Sequence, residues 1–121
     1  MSVVNVKVKY IREDGYANLK SWMEDENNVY VGRGRVVFLT KEGPSFPPKD
    51  SPFCNPFKVG KDGTREEVIA KFRVYMESRL QQDPELVQQL LALEGKHLGC
   101  WCKPEACHGD VLLELIKAYK T

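Results

Sequence analysis

The chain has 121 residues, and its 18 Lys and Arg against 17 Asp and Glu leave a formal net charge of +1. That length fits one domain, residues 1–121, whose core needs no disulfide bonds. The charge balance argues against a polybasic nucleic-acid binder, although a compact nucleotide site needs only one or two cations.

No apolar run approaches the roughly 20 residues needed to span a bilayer. The N-terminus also lacks the apolar core and cleavage site of a signal peptide. We therefore expect no membrane partner and a cytoplasmic protein, in a cell or an infected host. Thiols stay reduced there, so the four cysteines are interpreted as thiols or metal ligands rather than disulfides.

The first half of the chain predicts strands and one long irregular stretch. Residues 4–10 alternate between apolar and polar side chains, which predicts a half-buried strand. Residues 19–23 have helical spacing, and residues 30–39 are typical of two strands around a glycine turn. Residues 41–63 hold five of the seven prolines, so we expect a functional loop there.

The second half predicts helices with clear start signals. Residues 64–67 (TREE) form a capping box, with Thr64 as the N-cap of a helix. The pair at 83–84 (DP) begins a second helix, residues 97–102 read as a short strand, and a last helix begins at 108 or 109. Helices that alternate with short strands predict an α/β fold, with a small mixed or partly parallel sheet flanked by helices.

Residues 99–110 (GCWCKPEACHGD) carry the most chemically distinctive side chains. Side chains two apart on a strand share a face, which places Cys100 and Cys102 on the same side. Cys107 and His108 then arrive at a helix start, where exposed amides stabilise a thiolate, lower a thiol pKa and favour an anionic ligand.

Three interpretations of this segment stay open. In the first, Cys102 or Cys107 is a nucleophile or orients one, His108 is its base, and Asp110 is the partner of that base or a substrate contact. In the second, Cys100, Cys102, Cys107 and His108 bind zinc, although their spacing is not that of two separated knuckles. In the third, Cys100 and Cys102 are small buried apolar residues, and His108 to Asp110 only start a helix.

A second candidate site lies at Gly32, Arg33 and Arg35, between two strand-like runs. Arginine binds phosphate or carboxylate in a bidentate manner, and glycine lets a ligand approach the backbone. The alternative is a basic hairpin turn on a solvated surface.

The proline-rich stretch contributes a third candidate. Asn55 offers both a donor and an acceptor for a base or sugar edge, and Lys58 adds charge. Phe53 and Phe57 are candidates for stacking on a base. The alternative is a structural loop whose aromatic side chains belong to the core.

Three segments together resemble a known family: residues 31–34 (VGRG), 51–67 (SPFCNPFKVGKDGTREE) and 98–110 (LGCWCKPEACHGD). The chain resembles the domain of unknown function family numbered 4326 from about residue 30 to 119. The resemblance implies a domain found in phages, viruses and bacteria, with no established reaction. A looser similarity to the larger family numbered 488 implies a Rossmann-like fold and a site at the cysteine-histidine junction, and the phage context suggests nucleotide-type ligands.

The leading hypothesis is an enzyme, a hydrolase or transferase without a cofactor, acting on a nucleotide, nucleoside or nucleic-acid-derived phosphate. Arg33 and Arg35 would hold phosphate, Asn55 would orient the ligand, and the thiol-imidazole group would carry the chemistry. The rival is a non-catalytic module that binds nucleic acid or protein, with or without zinc. A third hypothesis is a small phage protein that contacts a host protein and needs no pocket.

Overall fold

A computed structural model describes residues 2–101 and 105–120 of the chain. Its strands are β1 (Ser2–Asn5), β2 (Asn28–Tyr30), β3 (Val37–Phe38), β4 (Ser45–Phe46) and β5 (His97–Cys100). Its helices are α1 (Val8–Ile11), α2 (Leu19–Glu24), α3 (Arg65–Gln82), α4 (Pro84–Leu91) and α5 (His108–Tyr119).

The main sheet has three parallel strands in the order β1, β5, β2. Leu98 on the central strand lies between Val3 and Val29 on its neighbours. The last strand in sequence, β5, therefore lies between β1 and β2. The short strands β3 and β4 form a separate antiparallel pair. The predicted α/β fold with a small, partly parallel sheet and flanking helices is confirmed.

Apolar clusters cover both faces of the main sheet. Leu98 packs with the buried stripes of α3, α4 and α5 on one face. Val6, Trp22 and Tyr30 belong to the cluster on the other face. Gly99 is required between them, because a Cβ there would lie 2.6 Å from the Trp22 ring. The sheet is thus the middle layer of three.

The long helices begin where the capping signals predict. The Thr64 hydroxyl accepts the Glu67 amide at 3.2 Å, and the Glu67 carboxylate accepts the Thr64 amide at 3.0 Å. Asp83 caps α4 by accepting the Glu85 and Leu86 amides. These contacts use orphan donors of each first turn, which is why local sequence predicts them.

One strand prediction is wrong beyond its first residues. The alternation over residues 4–10 continues past the end of β1, and residues 8–11 form α1 instead. The side chain of Asn5 accepts the Lys7 amide at 2.9 Å, which turns the chain out of the sheet. Residues 30–39 do hold the end of β2 and all of β3 around the glycine-arginine segment. That segment is not a hairpin turn, because β2 pairs with β5 and β3 pairs with β4.

In the described part of the chain, every helix is too short or too polar to cross a membrane.

Candidate functional site

A cleft of about 430 Å³ lies where the parallel strands end. Gly32 and Arg33 follow β2, Cys100 ends β5 and His108 begins α5, and all four line this cleft. In open parallel sheets ligands bind at this carboxyl edge, and a cleft of this volume is within the range of small-molecule sites.

Burial separates the floor of the cleft from its mouth. The buried lining residues, which form the floor, are Gly32, Val68, Cys100, Cys107 and His108. The exposed ones, which form the mouth, include Val36, Lys58 and Val59. Cys107 and His108 of the predicted junction therefore share one cavity with Gly32 and Arg33 of the upstream motif.

The His108 ring is fixed by its surroundings. Its Nε2 lies 2.7 Å from the Val31 carbonyl oxygen, and Phe72 packs edge-on against the ring at 5.0 Å between centroids. Because a carbonyl oxygen only accepts, Nε2 carries a proton. The other nitrogen, Nδ1, lies 3.6 Å from the Cys107 sulfur. In neutral His108 this Nδ1 is an acceptor for the thiol proton.

Cys107 is the N-cap residue of α5. Its sulfur accepts the Gly109 amide at 3.4 Å, a contact that favours the thiolate. Asp110 completes the capping box, because its Oδ2 accepts the Cys107 amide at 3.2 Å. Asp110 therefore supports the helix start in this structure and is absent from the described cleft lining.

Arg33 lines the cleft, but its guanidinium group also donates hydrogen bonds to backbone carbonyls of the protein. Its Nε and Nη2 donate to the Asn55 carbonyl at 3.1 and 2.7 Å, and Nη2 also donates to the Phe57 carbonyl at 3.1 Å. Asn55 in turn accepts the Phe57 amide and donates to the Val68 carbonyl. These two predicted ligand residues thus fix the proline-rich loop against the cleft wall.

Arg65 is a cleft residue that the sequence analysis did not select. It is the first residue of α3, and its Nη1 donates to the Ala106 carbonyl at 3.2 Å. That contact holds the guanidinium beside the start of α5. The capping box at Thr64 is the sequence signal that could have indicated Arg65, because it places the residue after Thr64 in the exposed first turn of a helix.

Trp101 forms part of the wall and is held by Tyr30. The indole Nε1 donates to the Tyr30 hydroxyl at 2.7 Å, and that hydroxyl donates to the Arg33 carbonyl at 2.6 Å. Burial raises the pKa of Tyr30, so the phenol keeps the proton that it donates. Neither side chain is among the site residues predicted from the sequence.

The remaining predicted residues are divided between the cleft and other places. Lys58 and Phe57 line the cleft, whereas Phe53 is buried in the core. Arg35 is exposed and lies outside the described cleft lining. Half-buried Cys54 is not a lining residue either, and burial raises the pKa of its thiol.

The zinc interpretation depends partly on Cys102, which lies outside the described residues. Its other three candidate ligands, Cys100, Cys107 and His108, all line the cleft. Within residues 2–101 and 105–120, no three histidine, cysteine or acidic side chains are arranged to hold a metal ion.

Two viral proteins are similar to the chain. An uncharacterized 12.4 kDa protein from the nrdA-td intergenic region of Enterobacteria phage T4 is 39% identical over 59 residues, which cover 48% of this chain and 55% of that protein. An uncharacterized protein of Acanthamoeba polyphaga mimivirus is 32% identical over 98 residues, which cover 74% of this chain and 67% of that protein. The match thus spans about half the length of the phage relative.

No solved structure matches the chain. The sequence matches the family described as Domain of unknown function (DUF4326) over residues 16–118, a stretch that begins upstream of the motifs near residue 30 and includes α2. The chain belongs to this family.

Proposed function

We propose that this protein is an enzyme that binds a nucleotide, nucleoside or nucleic-acid-derived phosphate in the cleft and acts on it through Cys107 and His108. The carrying observation is the charge of the lining: Arg33, Lys58 and Arg65 are present, and no Asp or Glu is among the described lining residues. In a protein with a net charge of +1, this local excess favours an anionic ligand.

The cations differ in what they offer a ligand. Two nitrogens of the Arg33 guanidinium group already donate to the Asn55 carbonyl. Arg33 therefore acts on a ligand mainly through its positive charge and less through bidentate hydrogen bonds. Lys58 is at the mouth and Arg65 is half-buried beside the α5 start. We therefore assign phosphate binding mainly to Arg65 and Lys58, with Arg33 positioning the loop that carries Lys58.

The aromatic wall suits the base of such a ligand. Trp101 and Phe57 line the cleft and are half-buried. Trp101 is anchored through its indole nitrogen, and Phe57 packs edge-on against Tyr75 at 6.0 Å between centroids. Planar rings held in this way offer a nucleobase a stacking surface at little cost in side-chain freedom.

The proposed chemistry is nucleophilic. The Cys107 thiol gives its proton to Nδ1 of His108, and the sulfur bonds to an electrophilic carbon or phosphorus of the ligand. The leaving group departs with that proton, and water then displaces the sulfur and returns one proton to the pair. An acceptor hydroxyl in place of water would make the reaction a transfer. We place this activity in a reducing, cytoplasmic compartment, where such a thiol stays available.

Binding is tested by calorimetric titration with nucleoside monophosphates. Replacing Arg65 with alanine should weaken binding about 10-fold or more, because hydrogen bonds to charged groups contribute about 1.5–3 kcal/mol. Arg79 is the matched control: it also lies on α3 and donates to a backbone carbonyl, of Pro52, but is not a cleft residue. Arg79→Ala should bind as the native protein does.

Chemistry is tested by mass spectrometry of nucleotide mixtures incubated with the protein. Cys107→Ser should abolish turnover and keep ligand binding, because serine is itself a good N-cap residue. Cys54→Ser is the control and should turn over normally. Turnover that survives in Cys107→Ser, or the absence of nucleotide binding, would refute the proposal. One zinc per chain with unfolding on chelation would instead support the non-catalytic rival.

A further inference from the structure

The hairpin of β3 and β4 exposes apolar side chains beside the cleft. Phe38 is 72% exposed, and Val36 and Leu39 are 44% and 36% exposed. The other four phenylalanines are buried or half-buried. Exposed apolar side chains grouped beside a cleft are typical of a surface that a partner covers.

Phe38 on β3 lies two residues along the chain from the mouth of the cleft. Val36 lines the cleft at its mouth. Val37 packs against the core cluster around Trp22. Because side chains alternate along a strand, the Phe38 side chain lies on the face of β3 opposite that of Val37. Two residues of extended chain span about 7 Å, so a ligand that leaves the cleft past Val36 can reach Phe38.

We infer that the cleft receives one nucleotide of a single-stranded nucleic acid, and that a neighbouring base of the strand stacks on Phe38. This inference rests on the proposed function and names its ligand class. Charge complementarity supports it. Lys58 lies at the mouth and Arg65 within the cleft, where both would contact the phosphates of a strand, and no carboxylate is in the described lining. Cations that follow a backbone, beside aromatic rings that stack on bases, are the usual means of binding single strands.

A free mononucleotide explains less of this surface. It would occupy the cleft between Trp101 and Arg65 and leave Phe38 in water. A strand that continues past Val36 would cover the ring. A ligand longer than one nucleotide accounts for both the cationic cleft and the exposed ring outside it.

The test compares a mixed-sequence single-stranded ten-mer, as DNA and as RNA, with the nucleoside monophosphates in the same calorimetric titration. The ten-mer should bind more tightly than any monophosphate. Phe38→Ala should weaken ten-mer binding about 5-fold or more, the range of one lost base-aromatic stack, and leave monophosphate binding unchanged. Val74→Ala is the control, because Val74 is 70% exposed on α3 and lies outside the cleft.

The outcomes separate this inference from the proposed function. A ten-mer that binds no more tightly than a monophosphate, or that binds Phe38→Ala as well as the native protein, overturns the inference and leaves the proposed function standing. If neither the ten-mer nor any monophosphate binds, both are overturned.

Discussion

His108 on α5 donates its Nε2 proton to the carbonyl of Val31, the residue that follows β2, at 2.7 Å. This buried hydrogen bond ties the start of the last helix to the end of an edge strand, across the floor of the cleft. It also fixes which ring nitrogen faces Cys107. His108 therefore stabilises the fold with the same side chain to which the proposed function assigns the role of base.

Replacing His108 with alanine should destabilise the protein by about 1–3 kcal/mol, because the buried Val31 carbonyl loses its partner. His97→Ala is the control, since His97 is exposed and its side chain is hydrogen-bonded to the Ser2 hydroxyl rather than to a buried carbonyl. That variant should stay within about 0.5 kcal/mol of the native protein. Urea unfolding measures both, and equal losses would show that the Val31 contact contributes little.

The Tyr30 hydroxyl should matter to the cleft as well as to stability. It accepts from Trp101 and donates to the Arg33 carbonyl, so Tyr30→Phe leaves two polar groups without this partner. We expect a loss of about 1–3 kcal/mol in unfolding free energy and weaker nucleotide binding, because the wall at Trp101 is released. Tyr119→Phe, on the far end of α5, should change neither quantity. Nucleotide affinity that is unchanged in Tyr30→Phe would contradict this role.

The capping box of α3 should make stability depend on pH in the acid range. The Thr64 backbone amide donates to Glu67 and holds the pKa of that carboxyl below its usual value. A carboxyl with a lowered folded pKa stabilises the fold above its unfolded pKa, and this contribution is lost as pH falls through the folded pKa.

Glu67→Gln keeps a side chain that can cap the helix but does not titrate. Native protein should therefore lose stability relative to Glu67→Gln as the pH is lowered below about 4.3, the usual glutamate pKa. Thermal unfolding across a pH series measures the difference. Parallel curves for the two proteins would mean that the charged form of Glu67 has no advantage in the folded state.

The parts of the fold that the sequence predicted are those decided within one turn of chain. The capping signals at Thr64 and Asp83 place helix starts because donor and acceptor lie within three residues. The Cys107 start of α5 follows the same local rule. The alternation of apolar and polar residues through Val8 wrongly predicted a strand there. The Asn5 side chain accepts the Lys7 amide and turns the chain before Val8, and the spacing of apolar residues carries no information about such a contact.

Long-range contacts decided the rest. Arg33 has the sequence context of a surface turn, yet it binds the carbonyl of Asn55, 22 residues away. The position of the Arg65 guanidinium group depends on its hydrogen bond to the Ala106 carbonyl, 41 residues away. The shared cavity of the cysteine-histidine junction and the glycine-arginine motif was expected from loop ends meeting at one sheet edge. The carbonyl contacts of Arg33 and Arg65 were not expected, since no local sequence pattern encodes which carbonyl oxygens a guanidinium group will bind.

The most direct test of the account is a nitrogen-proton correlation spectrum recorded while a nucleoside monophosphate is added. If the cationic cleft is the binding site, the amide signals of Gly32, Lys58, Arg65 and Gly109 should shift together and saturate with one affinity. Signals from α4, which contributes no residue to the described cleft lining, should stay in place. Shifts confined to α4, or a spectrum that does not change at saturating ligand, would contradict the central claim.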